Sequence, residues 1–233
     1  MKYLVAPLSI GLVLLFWPAS MKAEPTRREI HRIEAATRLF NSMPEKIPPG
    51  ILENAKGIAV IPGQFRVGFI YGVELGGGVL VARLPDGSWS LPAFTTLAGA
   101  SFGLQIGGEA RDIFLVFNST KSMDNIESGW TRLGAGISVA AGPVGKNVAA
   151  ATDSHDVFSY ISSAGAYVGA TVEGSILSFD FDSNRDLYGV ADPLKMQVER
   201  VPEQAAVFSC AVSKTTGAPA DVCDKLPKSL EST

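Results

Sequence analysis

The sequence predicts an α+β protein: a large antiparallel, glycine-rich sheet or partly closed barrel with N-terminal and C-terminal helices packed on it. Three observations carry this expectation. Residues 24–43 and 202–217 read as helices at the two ends, whereas residues 57–190 break into short apolar runs. Glycine reaches 24 of 233 residues and lies inside those runs, where it favours bent strands and tight turns. Apolar residues make up 46% and charged residues 18%, enough for a sizeable core and too little charge for a disordered chain.

Taken in order, the chain opens with Met1, Lys2 and Tyr3 before an apolar run of 14 residues, Leu4 to Trp17. That run is short for a bilayer span, and "PASMKA" follows it. Residues 1–23 therefore read as a signal peptide cleaved after Ala23, with an uncleaved anchor as the alternative. In "EPTRREIHRIEAATRLFNSMPEK", Ile30, Ile33, Thr37, Phe40 and Met43 follow helical spacing, Leu39 widens the apolar face, and Pro44 ends the helix. "PPGILENAKG" predicts a second short helix closed by Gly57. "GIAVIPGQF" and "RVGFIYGVELGGGVLVARL" read as strands with a reversal around Glu74 to Gly78, the "GGG" at 76–78 forming a wide turn or bulge.

"PDG" at 85–87 is a turn. "TTLAGASFGLQIGGEA" suits a strand packed against another backbone, "RDIFLVFNS" a buried strand, and "TKSMDNIESG" one short helix. "RLGAGISVAAG", "DVFSYISSAGAYVGATVEGSILSFDFD" and the run into "NRDLYG" are strand-like. "VPEQAAVFSCAVSKTTGA" is helical, with Pro202 at its start and Gly217 at its end. This gives residues 24–200 as the domain proper and 201–233 as a C-terminal helix and tail. Cys210 and Cys223 are the two cysteines of the chain. In an exported protein they are expected to form a disulfide, with free thiols as the alternative.

Loss of Lys2 and Lys22 with the signal peptide takes the formal charge from −3 to −5, so bulk charge will not hold this protein on an anionic surface. Any anion must be met by a local patch. His31 and His155 are far apart and give no metal-ligand spacing. "GASFG" around Ser101 matches a nucleophile elbow, with Asp153 and His155 downstream. However, glycine-laced "GLQIGG" is a poor start for the helix that an elbow requires. "AAGPVGKN" at 140–147 has two residues between Gly142 and Gly145, and Asn147 after Lys146, so it does not fit a nucleotide loop. "GGG" lacks dinucleotide spacing. No catalytic group, metal or other cofactor is expected, which leaves a binding protein.

The blocks "AKGIAVIP", "GFIYG", "GVLVARLPDGSWSLPAF", "GASFGLQIGGEARDIFLVFNS", "AAGPVGKN", "SYISSAGAYVGATVEGS" and "NRDLYG" closely resemble the SYLF domain family, in the family's order across about residues 30–190. The signal peptide looks like that of the family's bacterial, exported branch. The resemblance implies lipid binding, since eukaryotic members associate with phosphoinositide-containing membranes, partly through an amphipathic N-terminal helix. Some fungal members also bind actin. By this analogy the expected partner is an anionic phospholipid or another lipid, met peripherally at an envelope membrane on the periplasmic side. No nucleic acid is implied, and an envelope protein partner is the alternative.

Candidate headgroup contacts are Lys146, Gly142 and Gly145, where converging backbone N–H groups and one cation suit a phosphate, with Arg66, Arg83 and Arg132 as further cations. The same loop also reads, and more simply, as a plain turn. Candidate membrane-inserting residues are Ile30, Ile33, Leu39 and Phe40, unless that helix face packs on the sheet. The remaining alternatives are an envelope structural or protein-interaction module and a serine hydrolase using Ser101.

Overall fold

The computed structural model describes residues 27–43, 46–68, 71–102, 107–143, 155–163, 166–169 and 172–226. Among the described residues nine strands form one sheet in the order β5-β9-β3-β2-β1-β4-β7-β6, and β8 also pairs with β7. They are β1 (Gly57–Gly68), β2 (Tyr71–Ala82), β3 (Ala93–Phe102), β4 (Gly107–Phe117), β5 (Trp130–Arg132), β6 (Val139–Ala141), β7 (Val157–Ser163), β8 (Ala166–Gly169) and β9 (Ile176–Phe179). All pairings are antiparallel except β6 with β7. They are accompanied by the helices α1 (Arg27–Ser42), α2 (Pro49–Glu53), α3 (Thr120–Glu127), α4 (Phe181–Tyr188) and α5 (Glu203–Thr216).

The central strands are buried on both faces over Gly57–Ile61 of β1, Gly78–Ala82 of β2 and Ile113–Phe117 of β4. On β1, Ile58 and Val60 point to one cluster and Ala59 and Ile61 to the other, as the two-residue period of a strand demands. The first cluster lies under the helices: Ile33, Ala36, Leu39, Phe40 and Met43 of the α1 stripe meet Phe114, and Phe208 and Val212 of α5 complete it. In the second, the sheet curls as a half-barrel around Leu80, Leu97, Leu115, Phe117 and Leu177. Met123 and Ile126 of α3 join this second cluster. Helix α5 thus shares one core with α1. Trp89 Nε1 donates to Thr216 Oγ1 at 2.8 Å and Ser209 Oγ donates to the Ser90 carbonyl at 2.9 Å, fixing α5 to the β2–β3 connection. The Cys210–Cys223 disulfide ties α5 to the short 3-10 turn that follows it.

Three local expectations are corrected. The reversal between β1 and β2 falls between Gly68 and Tyr71, and the three glycines lie mid-strand in β2. A Cβ on Gly78 would stand 2.2 Å from the Val60 carbonyl oxygen, so glycine is required by close backbone approach and not by a turn. "NRDLYG" is helical: Asp180 caps α4 through the Ser183 N–H, and Gly189 closes it at φ 73°. Gly57 opens β1, since α2 already ends at Glu53.

Candidate functional site

Of the cations expected to gather for a headgroup, Arg66 and Arg83 lie toward opposite ends of the β1–β2 ladder. Lys146 and Gly145 fall outside the described residues. Gly142 is buried just after β6, and a Cβ there would stand 2.1 Å from the Tyr160 ring, so the absence of a side chain serves packing. Arg83 donates to the carbonyls of Ala55, Gly87 and Glu53, each at 3.1 Å, and lies over the Trp89 ring. Burial pushes its guanidinium below the ordinary range, and its donors are spent on the fold. Arg66 pairs with Glu74 at 3.4 Å toward the opposite end of the β1–β2 ladder. About ten residues of strand separate it from the Arg83 end, roughly 30 Å. Arg132 is exposed on β5.

The proposed inserting face of α1 is also committed. Ile33, Leu39 and Phe40 are buried against the sheet, and Ile30 is half-buried against the same cluster. Freeing Ile33, Leu39, Phe40 and Met43 at about 1.5–3 kcal/mol each would cost on the order of 10 kcal/mol. In this folded state they belong to the core under the helices. Polar contacts hold the helix down as well. Arg32 donates to Asp180 Oδ2 at 2.7 Å, to Ser183 Oγ at 3.1 Å and to the Gly78 and Thr95 carbonyls, and it lies over the Phe94 ring. Burial raises the Asp180 carboxyl, but hydrogen bonds from Arg32 and Ser183 outweigh this and leave it below the usual carboxylate range.

The elbow reading of Ser101 meets the wrong setting. Ser101 lies within β3, and the next described element is strand β4. His155 precedes β7, whose Val157 pairs with Phe117 at one end of β4. Through Gly72 and Gly68, Ser101 is level with Gly107 at the other end. That separation is roughly 30 Å along the strand. Among the described residues no cluster of His, Cys, Asp and Glu could hold a metal.

A different feature emerges at the end of β1 and β2 away from the helices. There the usual polarity is inverted. Glu74, buried, pairs with Arg66 and Arg111 on the inner face, and Arg111 Nε also donates to Gln64 Oε1 at 3.0 Å. On the outer face Phe65, Val67, Val73 and Leu75 are 51–65% exposed. Phe65 faces Leu75 and Val67 faces Val73 across the ladder, so the four form one patch. Ala98 and Ala100 of β3 and Ala110 of β4 extend it on either side. The patch begins where α1 stops covering the sheet, beside a recess of ≈ 330 Å³ lined by Arg28, His31, Arg32, Ala35, Pro62 and Gly77. The sequence signal was present as the alternation in "QFRV" and "VEL". It does not say which face turns inward.

Residues 98–218 match the family described as "Ysc84: Las17-binding protein actin regulator". The chain is 35% identical over 180 residues to Protein YSC84 of Saccharomyces cerevisiae, covering 74% of this chain and 38% of that protein. It is 38% identical over 149 residues to LAS seventeen-binding protein 3 of the same yeast, covering 61% and 32%. Against SH3 domain-containing YSC84-like protein 1 of Homo sapiens it is 33% identical over 176 residues, covering 73% and 51%. The chain spans about a third to a half of the length of these relatives.

Proposed function

Because the chain belongs to the Ysc84 (SYLF) family, we propose that it is a non-enzymatic lipid-binding protein that docks peripherally on a phospholipid bilayer, at an envelope membrane. The observation that carries this reading is the inverted end of the sheet, with charges inside and Phe65, Val67, Val73 and Leu75 outside. Water disfavours such an arrangement, whereas a bilayer interface rewards it by burying the apolar groups without disturbing the fold. The exposed parts of these four side chains amount to on the order of 400 Å², the size at which an apolar patch commonly marks an interaction surface.

A double variant, Phe65→Ser with Leu75→Ser, tests the reading by vesicle co-sedimentation beside the wild-type chain. Both positions are exposed, so the variant should keep its circular dichroism and melting temperature while pelleting several-fold less. Equal pelleting of a folded variant would refute the role of this face. A second reading, a protein-interaction module, is favoured by the relatives' names, which refer to Las17 binding. Capture of a protein partner that is indifferent to added lipid, and lost in the same variant, would put that reading first.

A further inference from the structure

The bilayer reading above is the premise here, and the edge of the sheet carries it further. Arg132, Ile176, Ala98, Leu75, Phe65 and Ala110 stand level across β5, β9, β3, β2, β1 and β4, so their side chains share one face. The row therefore begins at a cation and runs into the apolar patch. Its outer end is the edge strand β5, where Trp130 and Arg132 point outward and Thr131 inward. Trp130 is 58% exposed. Arg132 is exposed and its side chain has no hydrogen-bond or ion-pair partner among the described residues. The neighbouring arginines differ: Arg66 and Arg111 are bound to Glu74 inside, and Arg28 to Glu29.

We propose that Trp130 and Arg132 form the headgroup-level anchor of this docking face and give it a preference for anionic phospholipids. An indole settles where one end of the ring is apolar and the other wet. An arginine two residues on, about 7 Å away on the same strand face, lays its stem along the apolar row and presents its guanidinium to a phosphate. Phe65 and Leu75 then enter the acyl boundary while the sheet edge stays at headgroup depth. This fixes the tilt of the molecule on the surface. It also explains how an acidic protein would select an anionic lipid: one cation, free of internal partners, borders the inserted patch.

The test uses the full chain in a Trp17→Phe background, leaving buried Trp89 and exposed Trp130 as the tryptophans. Vesicles of phosphatidylcholine alone are compared with vesicles in which one third is phosphatidylglycerol. Wild-type emission should shift to the blue on binding, and Trp130→Phe should abolish the shift. Arg132→Gln should lower affinity for the anionic vesicles about fivefold without changing that for phosphatidylcholine, and Arg132→Lys should restore most of it. An unchanged lipid preference in Arg132→Gln, or an unshifted Trp130 in a bound protein, would overturn the anchor while leaving the bilayer reading intact. Absence of wild-type binding to either vesicle would remove both. A vesicle-free dimer broken by Phe65→Ser would assign the face to a second copy and also overturn the anchor.

Discussion

Glu74 is held between Arg66 and Arg111 with its side chain almost fully buried. Glu74→Ala would leave two inward arginines without their shared anion, at a cost of about 3–5 kcal/mol, measurable as a shifted urea midpoint at unchanged slope. Gly78→Ala should also destabilise, by about 1–3 kcal/mol or more, because its new Cβ meets backbone that cannot rotate away. Asp180 makes a pH prediction. Its folded carboxyl lies below the ordinary value, so the ion pair with Arg32 contributes fully above the ordinary carboxylate range. That contribution is lost as pH falls through this range to the lower folded value. The melting temperature of wild type should exceed that of Asp180→Asn near neutrality and converge on it in acid. At this scale little was legible beforehand: composition shows an arginine, but only the fold shows whether its charge is spent, as in Arg83, or free, as in Arg132.

Helix α1 was legible because an apolar stripe at helical spacing has one outcome in a small domain, burial against a sheet, and α5 because Pro202 and Gly217 mark its ends. The same stripe, expected either to insert into a membrane or to pack on the sheet, is packed on the sheet in this fold. Phe40→Ala should therefore cost about 3–5 kcal/mol of stability and leave vesicle affinity per folded molecule unchanged, readable by pairing denaturation with pelleting. Helix α4 was missed because the aromatic "SFDFD" run continues the strand texture into its first turn. Its signals, Asp180 as cap and Gly189 as stop, are single residues. The disulfide closes a loop of 13 positions between α5 and the tail. Replacing both cysteines by serine should lower stability by about 3 kcal/mol, with the loss absent when wild type is assayed under reductant.

Across the whole molecule, the fold class followed from texture, helix then glycine-rich strands then helix, whereas the inverted end did not. Alternation identifies a two-faced strand, and the usual assignment turns its apolar face inward. Only the sheet's curvature and the limit of the helical cover show that β1 and β2 outrun their core. The strand order has a kinetic consequence as well. β1 lies between β2 and β4, so Gly57 pairs with Phe117, sixty positions further on. A chain emerging in order forms the β1–β2 hairpin early and then waits, with one long apolar edge of β1 bare, until β4 arrives. Such non-local closure belongs to the millisecond-to-second class of folding reactions. During that delay the open edge can template the strand of another nascent chain. Synthesis stopped after Phe102 should therefore give aggregates, whereas the full chain supplies β4 to cover β1 and β7 to cover β4 in turn.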